Sequence, residues 1–145
     1  RDLHLSLHDA LPILELEKPV LVEDAGLFVE VLKGFPGPYS NYVYRTIGIN
    51  GLLKLLEGVE NRRAYFKSVA VIVYEPYIIV SEGIVYGWIT DTPRGSRGFG
   101  FDPVFIPNGS SKTFGEMSVE EKNLYSHRAK SVDNAFKKLV DLLNK

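Results

Sequence analysis

Hydrophobic and polar positions divide the chain into short segments of differing period. Val20-Leu21-Val22 is wholly apolar, which predicts a short strand buried on both faces and ending at Glu23-Asp24-Ala25-Gly26. Leu27–Leu32 predicts a helical turn or two, closed by the loop Gly34-Phe35-Pro36-Gly37-Pro38. Tyr39–Thr46 reads as helix. A second helix is predicted over Gly51–Glu57, with Asn50 as N-cap, Leu52, Leu53, Leu55 and Leu56 as its apolar stripe and Gly58 as its stop. The chain then turns β-rich. Ala64–Tyr74, Tyr77–Ser81 and Ile84–Thr90 predict an antiparallel meander, with Gly83 and Gly87 marking bulges or close approaches. A long Gly-rich loop, Thr92–Pro103, leads to a short strand, Val104-Phe105-Ile106.

The C-terminal segment carries two helix starts. Ser118-Val119-Glu120-Glu121 is a capping box that opens the first. Ser126 is a second N-cap, and Val132, Ala135, Phe136, Leu139, Val140 and Leu143 share one face of the helix beyond it. In one unbroken helix Lys122 and His127 would point about 140° apart around the axis. A restart at Ser126 lets them converge. It also puts Arg128 in a first turn, where a cation is disfavoured by roughly 0.3–1 kcal/mol, so an anion or polar ligand is expected beside it.

Composition narrows the class. The 145 residues fit one domain, and eight Phe with eight Tyr argue against disorder. The lack of cysteine excludes a disulfide scaffold and a thiolate zinc site. No apolar run nears the roughly 20 residues that cross a bilayer, so no membrane partner is expected. A net charge of -1 argues against a protein that coats nucleic acid. A soluble globular domain is expected, most simply cytoplasmic. Its charge is uneven: residues 1–92 carry 8 basic and 12 acidic side chains, residues 93–145 carry 9 and 6. That is either drift or an acidic, metal-holding half facing a basic, anion-holding half.

Three groups of residues could carry chemistry. Glu23 and Asp24 suit a hard divalent ion such as Mg²⁺, and either could deprotonate a water; the plainer alternative is an N-cap and first-turn acid for the segment that follows. In the loop, Gly95, Gly98 and Gly100 allow backbone to approach a ligand, Arg94 and Arg97 could meet phosphate, and Phe99 and Phe101 offer faces to a planar base. The alternative is a hairpin loop whose aromatics enter the core. Lys122, His127 and Arg128 are donors suited to a purine edge, or simply solvated helix residues.

These pieces occur in a known order. Val20-Leu21-Val22-Glu23-Asp24-Ala25-Gly26-Leu27, Gly34-Phe35-Pro36-Gly37-Pro38-Tyr39-Ser40, Gly98-Phe99-Gly100-Phe101-Asp102-Pro103 and Glu121–Arg128 together resemble the inosine triphosphate pyrophosphatase family, the Ham1-like noncanonical purine nucleoside triphosphate pyrophosphatases. The resemblance covers about Leu16–Lys145. It implies an α/β fold: an elongated mixed β-sheet flanked by helices, with a nucleotide cleft between two lobes. It implies Mg²⁺-dependent hydrolysis of ITP, dITP and XTP to monophosphate and pyrophosphate, by a homodimer. Asp24 matches the general base at the metal, with Glu23 as its acidic neighbour. Ala25 falls where many members have Ser. Phe99, Gly100, Phe101 and Asp102 match the substrate segment, and Lys122, His127 and Arg128 match the set that reads a 6-oxo purine.

Upstream the resemblance stops. The family's opening strand, phosphate loop and helix are missing, and Arg1–Ile13, whose Leu3, Leu5 and Leu7 could form a short strand, matches none of it. The expected organisation is a foreign segment 1–13 joined to a family-like domain 14–145 without its phosphate-loop portion. Weak or absent turnover follows, leaving a nucleotide-binding fragment or a structural dimer module as the alternative. A Maf-type pyrophosphatase is disfavoured by the Ser-His-Arg and Phe-Gly-Phe-Asp motifs.

Overall fold

Val20–Val29 form one ten-residue strand, β1, because every position from Val20 to Val29 finds a partner on the next strand. A computed structural model describes residues 19–145; segment 1–13 lies outside the described residues. β1 therefore runs straight through Glu23-Asp24-Ala25-Gly26, where the sequence predicts its end. Leu27–Val29 are strand, and only Glu30–Leu32 make a short 3-10 turn. Pairing with a neighbour outweighs the local preference that Ala25 and Gly26 suggest.

After a 3-10 turn at Gly37–Tyr39, α1 spans Ser40–Thr46 and α2 spans Gly48–Leu55. Asn50 thus lies inside α2 rather than capping it. Leu52 and Leu56 of the predicted stripe are fully buried, while Leu55 is exposed. β2 is Arg63–Tyr74 and β3 is Tyr77–Ile89. The two strands expected between Tyr77 and Thr90 are thus one, in unbroken register with β2. After the Gly-rich loop and a 3-10 turn at Asp102–Val104 comes β4, Phe105–Pro107. Helices α3, Val119–Asn123, and α4, His127–Leu143, close the chain.

The architecture is α/β, a sheet in the order β1-β2-β3-β4 flanked by helices. All three pairings among the described residues are antiparallel. Register assigns the faces, because side chains alternate along a strand. One face carries Glu23, Ala25, Leu27 and Val29 of β1, Ala64, Phe66, Ser68, Ala70 and Ile72 of β2, and Ile79, Gly83, Val85 and Ile89 of β3. This inner face receives α4 and both large apolar clusters. Leu27, Val29, Phe66, Val85, Phe105 and Phe114 form one; Ala70, Ile72 and Ile79 pack on Ala135 and Leu139 of α4 in the other. Of the predicted α4 stripe, Phe136, Val140 and Leu143 remain about half exposed. Among the described residues no helix is long and apolar enough to cross a membrane.

Gly83 and Gly87 are close approaches and not bulges. A Cβ on Gly83 would run into the His127 carbonyl and come within 2.6 Å of the Ser131 nitrogen, and one on Gly87 would meet the Ile106 carbonyl. The missing side chain at Gly83 is what lets the first turns of α4 lie against β3, at the seam between the two clusters.

Candidate functional site

The seam carries the polar residues. Ser118 caps α3 through a full capping box, and the Ser126 side chain accepts the Ala129 amide at the start of α4. The helix restarts as predicted, and Lys122, His127 and Arg128 gather around the Phe99 and Phe114 rings. Lys122 Nζ lies 4.8 Å from the Phe99 ring centre and 5.3 Å from that of Phe114, and the Arg128 guanidinium lies 4.4 Å from Phe99. Cations over aromatic faces gain electrostatically from the ring quadrupole.

The two loop aromatics part company. Phe99 is 57% exposed and offers its ring to the cleft, whereas Phe101 is 3% exposed and packs in the core, edge-on to Tyr44 at 5.4 Å. Of the two predicted stacking faces only Phe99 is open to the cleft, and Phe101 belongs to the core cluster. Asp102 is buried, and its Oδ2 accepts Lys122 Nζ at 2.6 Å and the Phe99 amide at 3.1 Å. That carboxylate is occupied in fixing the lysine and the loop. Gly98 and Gly100 adopt φ of 73° and 60°, a region costly for residues with a Cβ, and a Cβ on Gly98 would collide with Asp102. Arg94 is held instead by Glu116, at 3.5 Å, and by the Ser111 carbonyl. Arg97 lines an adjoining groove with Phe99, Lys122 and Arg128.

His127 is 4% exposed and lies flat on Phe66, with ring centres 4.7 Å apart and planes 8° from parallel. Burial, then the charges of Arg128, Lys122 and Lys130, lower its pKa to about 3. It is a neutral imidazole at ordinary pH, and its buried Nδ1 has no hydrogen-bond partner. A buried polar atom left that way is costly unless something meets it.

Glu23 and Asp24 are separated by the strand. Facing Ala70 and Val69 respectively in the register, they project to opposite sides of β1. Glu23 turns inward, where its Oε2 accepts Ser68 Oγ at 2.6 Å and lies 3.2 Å from Arg128 Nε. The anion expected beside Arg128 is therefore this carboxylate. Asp24 accepts the Ala25 amide at 2.9 Å and lines a cleft of about 360 Å³ together with Ala25, Ser40, Tyr44, Phe99, Gly100, Phe101, Asp102, His127 and Arg128. The two carboxylates expected together at a metal thus leave β1 on opposite sides, and among the described residues no three His, Asp or Glu side chains group to hold an ion. A wider groove of about 1240 Å³ beside Tyr86 and Trp88 is lined by none of the predicted site residues.

Sequence reasoning missed the serines and Phe66. Ser40 Oγ accepts the Leu27 amide at 2.8 Å and donates to the Gly37 carbonyl at 2.7 Å, which ties α1 to the edge of β1 away from β2. Ser68 and Ser131 are fully buried and 2.7 Å apart. Their signal was present: Ser131 falls on the stripe His127, Ser131, Ala135, Leu139 that faces the sheet, where a polar residue needs a partner.

The model of the Ham1 family matches residues 4–141. The chain is 66% identical over 118 residues to a dITP/XTP pyrophosphatase of Hyperthermus butylicus, covering 81% of this chain and 62% of that protein. It is 54% identical over 122 residues to the dITP/XTP pyrophosphatase of Pyrococcus horikoshii, covering 84% and 66%. The chain thus spans less than two thirds of the length of these curated relatives. The structure of the Staphylococcus aureus Ham1 protein superposes with a TM-score of 0.77 at 34% identity, over 88% of this chain and 69% of that one.

Proposed function

The chain belongs to the Ham1 family, and from that premise we propose that it hydrolyses noncanonical purine nucleoside triphosphates, namely ITP, dITP and XTP, to the monophosphate and pyrophosphate. One observation carries the proposal: an exposed ring with Arg128 against it, a histidine whose buried Nδ1 is unpartnered, and Asp24 line a single cleft, and Lys122 reaches the same ring from the adjoining groove. The base stacks on Phe99. Lys122 and Arg128 donate to the 6-oxo group, and His127 Nδ1 meets a third polar atom of the purine edge, as donor or acceptor according to its tautomer. Adenine would set an amino donor against these cations. Sites of that kind can discriminate by about 10⁴–10⁵.

Asp24, which lines the same cleft, takes a proton from the attacking water. A P–O bond forms from the water oxygen, the α–β anhydride bond breaks, and pyrophosphate leaves with the electron pair. The expected metal is Mg²⁺, which is commonly held by one or two carboxylates together with substrate phosphates. Asp24 fits that requirement by itself, since its carboxylate accepts the adjacent Ala25 amide and faces the cleft, whereas Glu23 is taken by Ser68 and Arg128. When bound, the ion would neutralise triphosphate charge. Assembly as a homodimer in the cytoplasm belongs to the same proposal, and sedimentation showing only monomer would remove the first of these.

Pyrophosphate release from dITP in Mg²⁺, with ATP as control, tests the proposal. Release from dITP far above ATP is expected. A second reading, nucleotide binding without turnover, is favoured by the cleft's lining, in which the one cation among the described residues is Arg128, held against the Phe99 ring. ITP binding without pyrophosphate release would establish that reading.

A further inference from the structure

Four residues on three elements close a ring behind the base-reading face. Ser68 Oγ donates to Glu23 Oε2 at 2.6 Å and lies 2.7 Å from Ser131 Oγ, which is 3.1 Å from the Arg128 carbonyl. Arg128 Nε, 3.2 Å from Glu23 Oε2, completes it. Two fully buried serines on an otherwise apolar interface have a cost unless each satisfies a partner, and here each does. The contact between Glu23 and Arg128 is an ion pair without an aligned hydrogen bond, because no acceptor satisfies Nε. The same guanidinium sits 4.4 Å from the Phe99 ring. An arginine has many rotamers, and binding a ligand with one requires ordering it.

We propose that Glu23 is a positioning residue and not a metal ligand: braced by Ser68 and Ser131, it holds the Arg128 guanidinium over Phe99, where the 6-oxo edge of the purine is read. This rests on the reading of the cleft as a purine nucleotide site. Glu23 lies on the face of β1 opposite Asp24, so it can serve Arg128 without touching the phosphate end. Its charge also offsets that of a cation placed in the first turn of α4.

Glu23→Gln keeps the size of the side chain and an acceptor for Ser68 but removes the charge; Glu23→Ala removes both. Equilibrium binding of ITP and of ATP is measured on the 145-residue chain and on each variant, with Mg²⁺ titrated separately. Glu23→Ala is expected to weaken ITP binding roughly tenfold and Glu23→Gln less, with the ATP affinity and the Mg²⁺ midpoint unmoved. The effect is expected to vanish when Arg128→Ala is already present. A shifted Mg²⁺ midpoint, or an equal loss in the Arg128→Ala background, overturns the proposal. Side-chain ¹⁵N relaxation of Arg128 without nucleotide is the second readout: an ordered Nε–H in the native chain and a mobile one in Glu23→Ala are expected, and equal order overturns it. If the native chain binds no purine nucleotide, the reading of the cleft fails, and the relaxation measurement alone decides whether Glu23 holds Arg128.

Discussion

The two faces of the sheet share the same three strands and the same register, yet they are built for different ends. On the inner face Phe66 is packed among Phe105, Phe114 and His127, and the polar residues Glu23, Ser68 and Ser131 satisfy one another. On the outer face Tyr65 stacks on Phe28 at 4.9 Å, but Ile78, Val80, Tyr86 and Trp88 stay largely exposed and Lys67 pairs with Glu82 at 3.4 Å. A pleated strand sends neighbours to opposite sides, so Glu23 and Asp24 leave β1 in opposite directions and find different partners. Glu23 meets a cation and a buried hydroxyl. Asp24 is left with an adjacent amide and the cleft.

The difference between the faces can be broken in several ways. Asp24→Asn removes the proposed base while keeping shape, and a loss of turnover of about 10²–10⁴-fold is expected with nucleotide binding retained. Pyrophosphate release measured beside ITP binding would show it; undiminished release would take Asp24 out of that role. Phe66→Ala deletes the ring on which His127 lies and leaves a hole among buried aromatics, at an expected cost of about 3–5 kcal/mol in denaturant unfolding. A cost below about 1 kcal/mol would mean that the inner face is not the packed one.

The protonation of His127 gives a smaller effect with a definite sign. Its folded pKa is about 3 against an ordinary value of 6.5. Between those values the unfolded chain binds a proton that the folded chain refuses, so stability is full above the ordinary value and falls as pH drops towards the folded one. The slope is at most about 1.4 kcal/mol per pH unit. Unfolding free energies at pH 7 and pH 5 should therefore differ more in the native chain than in His127→Gln. Identical slopes in the two proteins would show that His127 titrates normally. The least effect is expected outside: Tyr86→Ser, at a residue 59% exposed on the outer face, should change unfolding by less than about 1 kcal/mol. A larger loss would reveal that something packs on that face.

Features that depend on a few adjacent residues were readable in the chain itself. The capping box at Ser118 and the cap at Ser126 are closed by hydrogen bonds three residues long, and both form as expected. From that restart the gathering of Lys122, His127 and Arg128 could be foreseen. Features that depend on distant partners were misread. Ala25-Gly26 suggested an end to β1, but pairing with Lys67 and Ser68 carries the strand on. Gly83 suggested a break in β3, and the reason for it, α4 lying against the strand, is separated from it by more than forty residues. Phe99 and Phe101 alternate in one motif, and only the core beneath decides that one is buried and the other exposed.

By itself the sequence determined the family pattern, the helix starts and the identity of the polar side chains that meet at the cleft, because caps, turns and motif spacing are local. The tertiary structure decided what those side chains do. Strand pairing put Glu23 and Asp24 on opposite faces, burial against Phe66 made His127 neutral, and the ring through Ser68 and Ser131 set the Glu23 carboxylate against Arg128. Face, desolvation and partner are set by residues far away in the chain, and no window of sequence contains them.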